Sequence, residues 1–203
     1  NSIKDNLSNV TNDKPDQGYE NKLIEIGVGT SFEQYKDIFT SLSLSASYDD
    51  LRTDGSASAS LKKQAGEFSE ISGSYGFKYD QRNRKFMPTD GSIISFSQRL
   101  PIYADKPFIG YTFAVSKYQA FGENVVGAGK FYLDTINGLN NKDVRISKRK
   151  SLSTKRLRGF EKGKIGPVDG SYHIGGNYAA ALNFEANLPK FLPDNSNADI
   201  GFF

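Results

Sequence analysis

What most constrains this chain is a two-residue rhythm that recurs along nearly its whole length. Across 38–51, Ile38, Thr40, Leu42, Leu44, Ala46 and Tyr48 alternate with Phe39, Ser41, Ser43, Ser45, Ser47 and Asp49. Successive strand residues point to opposite faces, so this segment has one apolar face with a tyrosine near its end and one face that is almost wholly serine. A helix would mix the two sets on every side. The pattern returns with Ile24, Ile26, Val28, Thr30 and Phe32 against Glu25, Gly27, Gly29 and Ser31. It returns again with Ile71, Gly73, Tyr75, Phe77 and Tyr79 against Glu70, Ser72, Ser74, Gly76, Lys78 and Asp80. Further copies occupy 94–100, 109–116, 125–134 and 177–188, and 198–203 begins one more. About eight strands of the ~10-residue length that crosses a bilayer at a tilt read as an all-β, antiparallel transmembrane β-barrel.

Composition narrows the alternatives. The 203 residues combine 15 Phe and 11 Tyr with many Ser, Gly and Asn, which suits sheets with one greasy and one polar face better than a thick two-sided core. No cysteine is present, so neither a disulfide framework nor a thiolate metal site is available. His173 is the one histidine, and a net charge of +3 is too small to argue for nucleic acid. No run approaches the length of a membrane helix and no signal peptide opens the chain. The polar stretch 1–21, with Pro15 and Gly18, reads as a loop or linker, and its sequons at Asn6 and Asn9 as chance matches. Residues 22–203 read as the barrel part.

The connections supply a second test, because outer-membrane barrels alternate short turns at one end with longer loops at the other. Here 33–36 is short, 50–66 long, 83–90 fairly short, 101–106 modest, 122–124 short, 137–176 very long and 189–197 short. That parity is expected of a barrel and not of a soluble sandwich.

Several motifs punctuate this scheme. Pro88-Thr89-Asp90-Gly91 encodes a tight turn, with proline pre-setting φ and glycine where a left-handed residue is wanted. Tyr79-Asp80-Gln81-Arg82 puts Asp80 and Arg82 on one polar face, either as an ion pair or as separately solvated charges. The long connection holds ten Lys and Arg between 141 and 164, from Lys142 through Arg145, Lys148 and Lys150 to Arg158 and Lys164, against Asp143 and Glu161. Phe160 is the one aromatic there, so a nucleic-acid patch is disfavoured, and a solvated loop or one touching anionic lipid headgroups is favoured. If the loop folds inward, Arg158 needs a carboxylate, and Glu185 is the acid on the polar face of the strand that follows. A partly desolvated bidentate pair is one outcome, with Gly159 permitting close backbone approach and Phe160 packing as an anchor, although every other basic residue of the loop competes for Glu185. Catalytic readings are weak: Asp169, Ser171 and His173 have the residue types of a triad but crowd one loop, and Gly127-Ala128-Gly129 has no helix after it to make a phosphate site.

In order and spacing these residues resemble a known family. Tyr79-Asp80-Gln81-Arg82 with the Pro88–Gly91 turn, then Leu157-Arg158-Gly159-Phe160, Ile165-Gly166-Pro167, Gly175-Gly176-Asn177 and finally Leu182-Asn183-Phe184-Glu185 look like the barrel of the BamA family of outer-membrane assembly factors. The arginine-glycine-phenylalanine triplet is the most specific of these marks. The resemblance is good from about Tyr75 onward. It implies a sixteen-stranded barrel, of which this chain corresponds to the seventh to fourteenth strands, preceded by periplasmic POTRA domains. It implies a place in the bacterial outer membrane, among lipid and lipopolysaccharide, with unfolded outer-membrane proteins as substrates and accessory lipoproteins as partners. It also implies no cofactor, no metal and no enzymatic chemistry. Arg158 is expected in the lumen against Glu185 and against a second acid just beyond Phe203. A secretion barrel of the two-partner or TamA type, and a small passive barrel, are the competing expectations.

Overall fold

Alternation of this kind can hold a sheet only if both faces find suitable surroundings, and the fold shows how each does. The computed structural model describes residues 2–14, 19–161, 163–170, 172–188 and 200–202. The strands are β1 (Ser2–Lys14), β2 (Tyr19–Tyr35), β3 (Ile38–Thr53), β4 (Gly66–Asp80), β5 (Gly91–Ala104), β6 (Phe108–Ala120), β7 (Val126–Gly138), β8 (Val168–Asp169), β9 (Tyr172–His173), β10 (Tyr178–Leu188) and β11 (Ile200–Phe202). A single helical turn, α1 (Ala59–Lys62), interrupts the β3–β4 connection. Nine strands form one open sheet in the order β1-β2-β3-β4-β5-β6-β7-β10-β11, while β8 and β9 make a small hairpin inside the long connection. Each neighbouring pair is antiparallel. No helix among the described residues is long and apolar enough to cross a membrane, which says nothing of strands.

The two faces separate as the alternation requires. On one, Ile26, Val28, Leu42, Leu44, Phe77, Leu182 and Phe184 stand exposed, Phe184 at 71%. So broad an apolar band is costly in water and at home in hydrocarbon. On the other, Ser43 and Ser74 hydroxyls meet at 2.9 Å and Ser45 and Ser72 at 3.0 Å across β3 and β4. Buried apolar residues gather in two small clusters, Leu51 with Ala57 and Leu61, and Phe108 with Ile136 and Val144. Both lie where the connection after β7 crosses the sheet, with Ile146 packed on the first and Val144 part of the second.

Two expectations need correction. Within the stretch 1–21, residues 2–14 and 19–21 are strand and not loop: β1 pairs with β2 from Ser2↔Ser31 to Lys14↔Tyr19. Its apolar residues Ile3, Leu7 and Val10 fall out of a two-residue rhythm, so the edge of β2, not local pattern, makes it a strand. The loop parity also fails at one pair of connections. β5 runs on through Pro101 after a register shift at Ile71/Ser72, leaving only 105–107 to join β6, whereas 81–90 joins β4 to β5. The expected modest loop is therefore shorter than the turn before it. The short turn expected at 189–197 lies outside the described residues.

Candidate functional site

The polar face is where the long connection of 139–177 lies. It begins with Val144, 2% exposed among Phe108 and Ile136, so the chain is pulled onto the sheet almost as soon as it leaves β7. From there its basic residues meet acids on one strand after another. Arg145 Nη1 is 2.8 Å from Asp49 Oδ2 of β3, Lys148 Nζ is 3.4 Å from Glu70 Oε2 of β4, and Lys150 Nζ is 3.1 Å from Asp134 Oδ1 of β7. Glu70 also receives Arg99 at 3.0 Å, and Asp134 accepts from Thr112 and Tyr132, each at 3.1 Å. Lys150 and Gly176 exchange backbone hydrogen bonds of 2.8 and 3.0 Å, which clamps the outgoing leg of the loop to its return. Further along, Asn183 Nδ2 of β10 donates to the Arg156 carbonyl at 3.1 Å, and the Arg156 guanidinium lies 4.1 Å over the Tyr132 ring. Arg158 Nη2 stands 3.5 Å from Glu185 Oε1.

The inward fold of the loop therefore brings Arg158 and Glu185 together, but not as the desolvated bidentate pair expected. Glu185 is 9% exposed and Arg158 44%, and the nearer cation on Glu185 is Lys130 of β7, at 2.5 Å from Oε2. Lys130 pairs with Asn183, two residues from Glu185 on the same face, so the sheet register delivers it without help from the loop. A contact exposed like that of Arg158 is worth about 0–1 kcal/mol. Removing one partner of a buried pair such as Arg145–Asp49, 6% and 2% exposed, costs about 3–5 kcal/mol. Removing Arg145 therefore strands the buried Asp49 charge, whereas removing Arg158 leaves Glu185 with Lys130.

The other sequence candidates divide. Asp80 and Arg82 form the ion pair, bidentate at 2.8 Å for both nitrogens. The turn after it holds Asn83, whose side chain donates to Thr89 Oγ1 at 2.7 Å and accepts the Thr89 and Asp90 amides at 3.2 and 3.3 Å. Gly91 closes that turn at φ +95°, where a Cβ would stand 2.1 Å from the Gln81 carbonyl oxygen. Pro88 occupies the turn itself, and Tyr79, the last residue but one of β4, lies opposite Ile38. Pro167 accepts the Ile174 amide at 3.0 Å, and Asn177 accepts that of Ile136 at 2.8 Å, so the Ile165–Pro167 and Gly175–Asn177 motifs shape the return leg. Two expectations for the tip fail. Phe160 is 55% exposed, too open for a packed anchor, and Gly159 makes no close approach among the described residues, its Cβ direction being open space. Glycine suits position 159 because φ is +82°. Leu157 is half-buried in a turn whose amide bonds to Ser153 at 3.0 Å. Ile165 and Gly166 lie exposed.

Sequence reasoning missed Val144, Arg145, Ile146, Ser147, Asp49 and Gln64. One signal was available: Val144-Arg145-Ile146 sets a cation between two aliphatics in an otherwise polar run, the pattern of a segment that is partly buried. Of the triad residue types, Asp169 accepts the Ser60 amide at 3.1 Å, and Ser171 lies outside the described residues. Among the described residues no cluster of His, Cys, Asp or Glu is placed to hold a metal.

Comparison with known proteins agrees with this geometry. The fold is similar to BamA from Haemophilus ducreyi lacking POTRA domains 1–3, with a TM-score of 0.81 over 93% of this chain and 42% of that one, at 22% identity. The sequence is similar to a SAM50-like protein of Schizosaccharomyces pombe, 28% identical over 140 residues, which cover 66% of this chain and 30% of the relative. The chain thus spans less than half the length of either. The model of the Omp85 superfamily domain matches residues 2–203, and the chain belongs to that superfamily of membrane β-barrels.

Proposed function

We propose that this chain is the barrel part of an outer-membrane assembly factor that folds and inserts other β-barrel proteins into a bacterial outer membrane. The observation that carries this reading is the long loop laid along the polar face, its Arg-Gly-Phe tip over β10 and Arg158 beside Glu185. A merely solvated basic loop has no reason to match its cations to acids on β3, β4, β7 and β10 in turn. The work of such a factor is done by deformation and strand pairing and needs no covalent chemistry or cofactor. Lipid and lipopolysaccharide would surround the apolar face, unfolded outer-membrane proteins would be the substrates, and accessory lipoproteins would act through POTRA domains elsewhere in the protein.

In the full-length protein, Arg158→Ala should lower the level of folded outer-membrane proteins in cells, and Glu185→Gln, which removes the shared acceptor of Arg158 and Lys130, should lower it as well. Normal levels in the Arg158 variant would remove Arg158 from the mechanism. A second reading, a secretion or translocation barrel, draws on a trough of roughly 440 Å³ on the sheet over β2 to β4, lined by Ser41, Ser43, Ser45, Ser74 and Arg99. Its floor is mostly small hydroxyl side chains, with Glu25 and Arg99 among the lining residues, and such a surface lets an extended polypeptide slide. Cross-links from Ser43→Cys to a secreted protein, and not to barrel precursors, would favour it.

A further inference from the structure

We infer that Arg145, seated on Asp49, is the positioning residue of the long loop: the root of the loop, not its arginine tip, sets where the loop lies on the polar face. This inference rests on the assembly reading above for its consequence, though not for its geometry. Three separate parts of the chain meet residues 144–147, and a fourth supports them through Asp49. Asp49 of β3 accepts from Arg145 at 2.8 Å and from the Ser147 hydroxyl at 2.8 Å. The amide of Asn21 on β2, turned to donate, reaches the same carboxylate at 2.5 Å. Gln64, from the β3–β4 connection, accepts the Ile146 amide at 2.6 Å. Phe68 of β4 lies under the Arg145 guanidinium at 3.7 Å.

The chemistry of this seat differs from that at the tip. Both charges of the Arg145–Asp49 pair are out of water, and each would be stranded if the other left, so they part only by rehydrating together. Stacking on Phe68 needs the flat guanidinium, which an ammonium does not supply. On either side Val144 and Ile146 enter different apolar clusters, so residue 145 cannot shift along the sheet without emptying both. Lys148 on Glu70 and Lys150 on Asp134 then follow at fixed spacing, and they determine where the tip arrives over β10.

Limited trypsin digestion of the full-length protein in membranes tests this, because the sites from Lys155 to Lys164 lie in the loop and heat-modifiable gel mobility reports the folded barrel separately. Arg145→Ala and Asp49→Asn should each raise loop cleavage by about tenfold or more with barrel mobility unchanged, and Arg158→Ala should raise it less. Arg145→Lys should fall between Arg145→Ala and the parent protein. Wild-type protection in the Arg145 and Asp49 variants, or loosening by Arg158→Ala alone, would overturn the inference. Should Arg145→Ala fail to fold, Ser147→Ala and Arg145→Lys take its place. Folding lost in those as well would make the cluster part of the barrel core and would also overturn the role. A loosened loop with normal outer-membrane protein levels would leave the positioning role intact and defeat the assembly function.

Discussion

Glu185 shows how far a single residue could be read ahead of the fold. Its polar-face position followed from alternation, and so did its value as a counter-ion for Arg158. What alternation did not reveal was that Lys130 reaches it first, since that depends on the register of β10 against β7. Asp80 and Arg82 were legible for the opposite reason, being two residues apart with no partner strand needed. Gly91 was also legible, and its replacement is a sharp test. Gly91→Ala combines a positive φ with a Cβ 2.1 Å from a carbonyl oxygen, so, where an unstrained Gly→Ala change stabilises by ~0.4–1 kcal/mol, this one should destabilise the folded barrel by more than that amount, read as a lower urea midpoint. Asp169 offers a pH test outside the spanning strands. The Ser58 and Ser60 side chains and the Ser60 amide beside it hold its carboxyl below the ordinary value of 3.8. A depressed folded pKa means that this tie between β8 and α1 is fully present above the unfolded value and is lost as pH falls through the folded one. Protection of the loop from an acid-active protease should therefore hold from neutral pH to about 4 and decline below it, and Asp169→Asn should shrink the decline, the rest belonging to the carboxylates under Arg145, Lys148 and Lys150.

At the scale of elements, strands were easier to find than the way connections behave. β2 to β7 and β10 follow from period-two text because one face of each is predominantly apolar. β1 does not, because an edge strand can be recruited by its neighbour's unpaired backbone despite an irregular pattern of its own. In the long connection the sequence singles out Arg158 and its glycine and leaves the other cations as solvated or lipid-facing charge. In the fold those cations are what places it, each opposite an acid on a different strand. Val144 sits in the Phe108–Ile136 cluster, so Val144→Asp should loosen the loop as Arg145→Ala does. Burying an unpaired carboxylate there should cost more than about 2 kcal/mol, measurable as faster cleavage between 155 and 164.

For the whole molecule, the decisive property is that one face of the sheet is apolar and uncovered while the other is polar and partly covered by its own loop. A charge on the outer face should then be far more harmful than one on the inner. Leu44→Arg should cost ~2–4 kcal/mol and reduce membrane integration, while Ser43→Arg, one residue away, should be tolerated in both integration and heat-modifiable mobility. Equal harm from the two would argue against a membrane-spanning sheet. The sequence by itself determined the all-β class, the two-faced strands, the turn at Gly91 and the kinship carried by Leu157 to Phe160, because each is encoded in neighbours a few residues apart. Only the tertiary structure decided that the loop folds inward, that Lys130 shares Glu185 and that Arg145 bears on Asp49. Those contacts join segments far apart in the chain, and the competition among so many similar cations for so few carboxylates is settled by register and burial, which no local pattern contains.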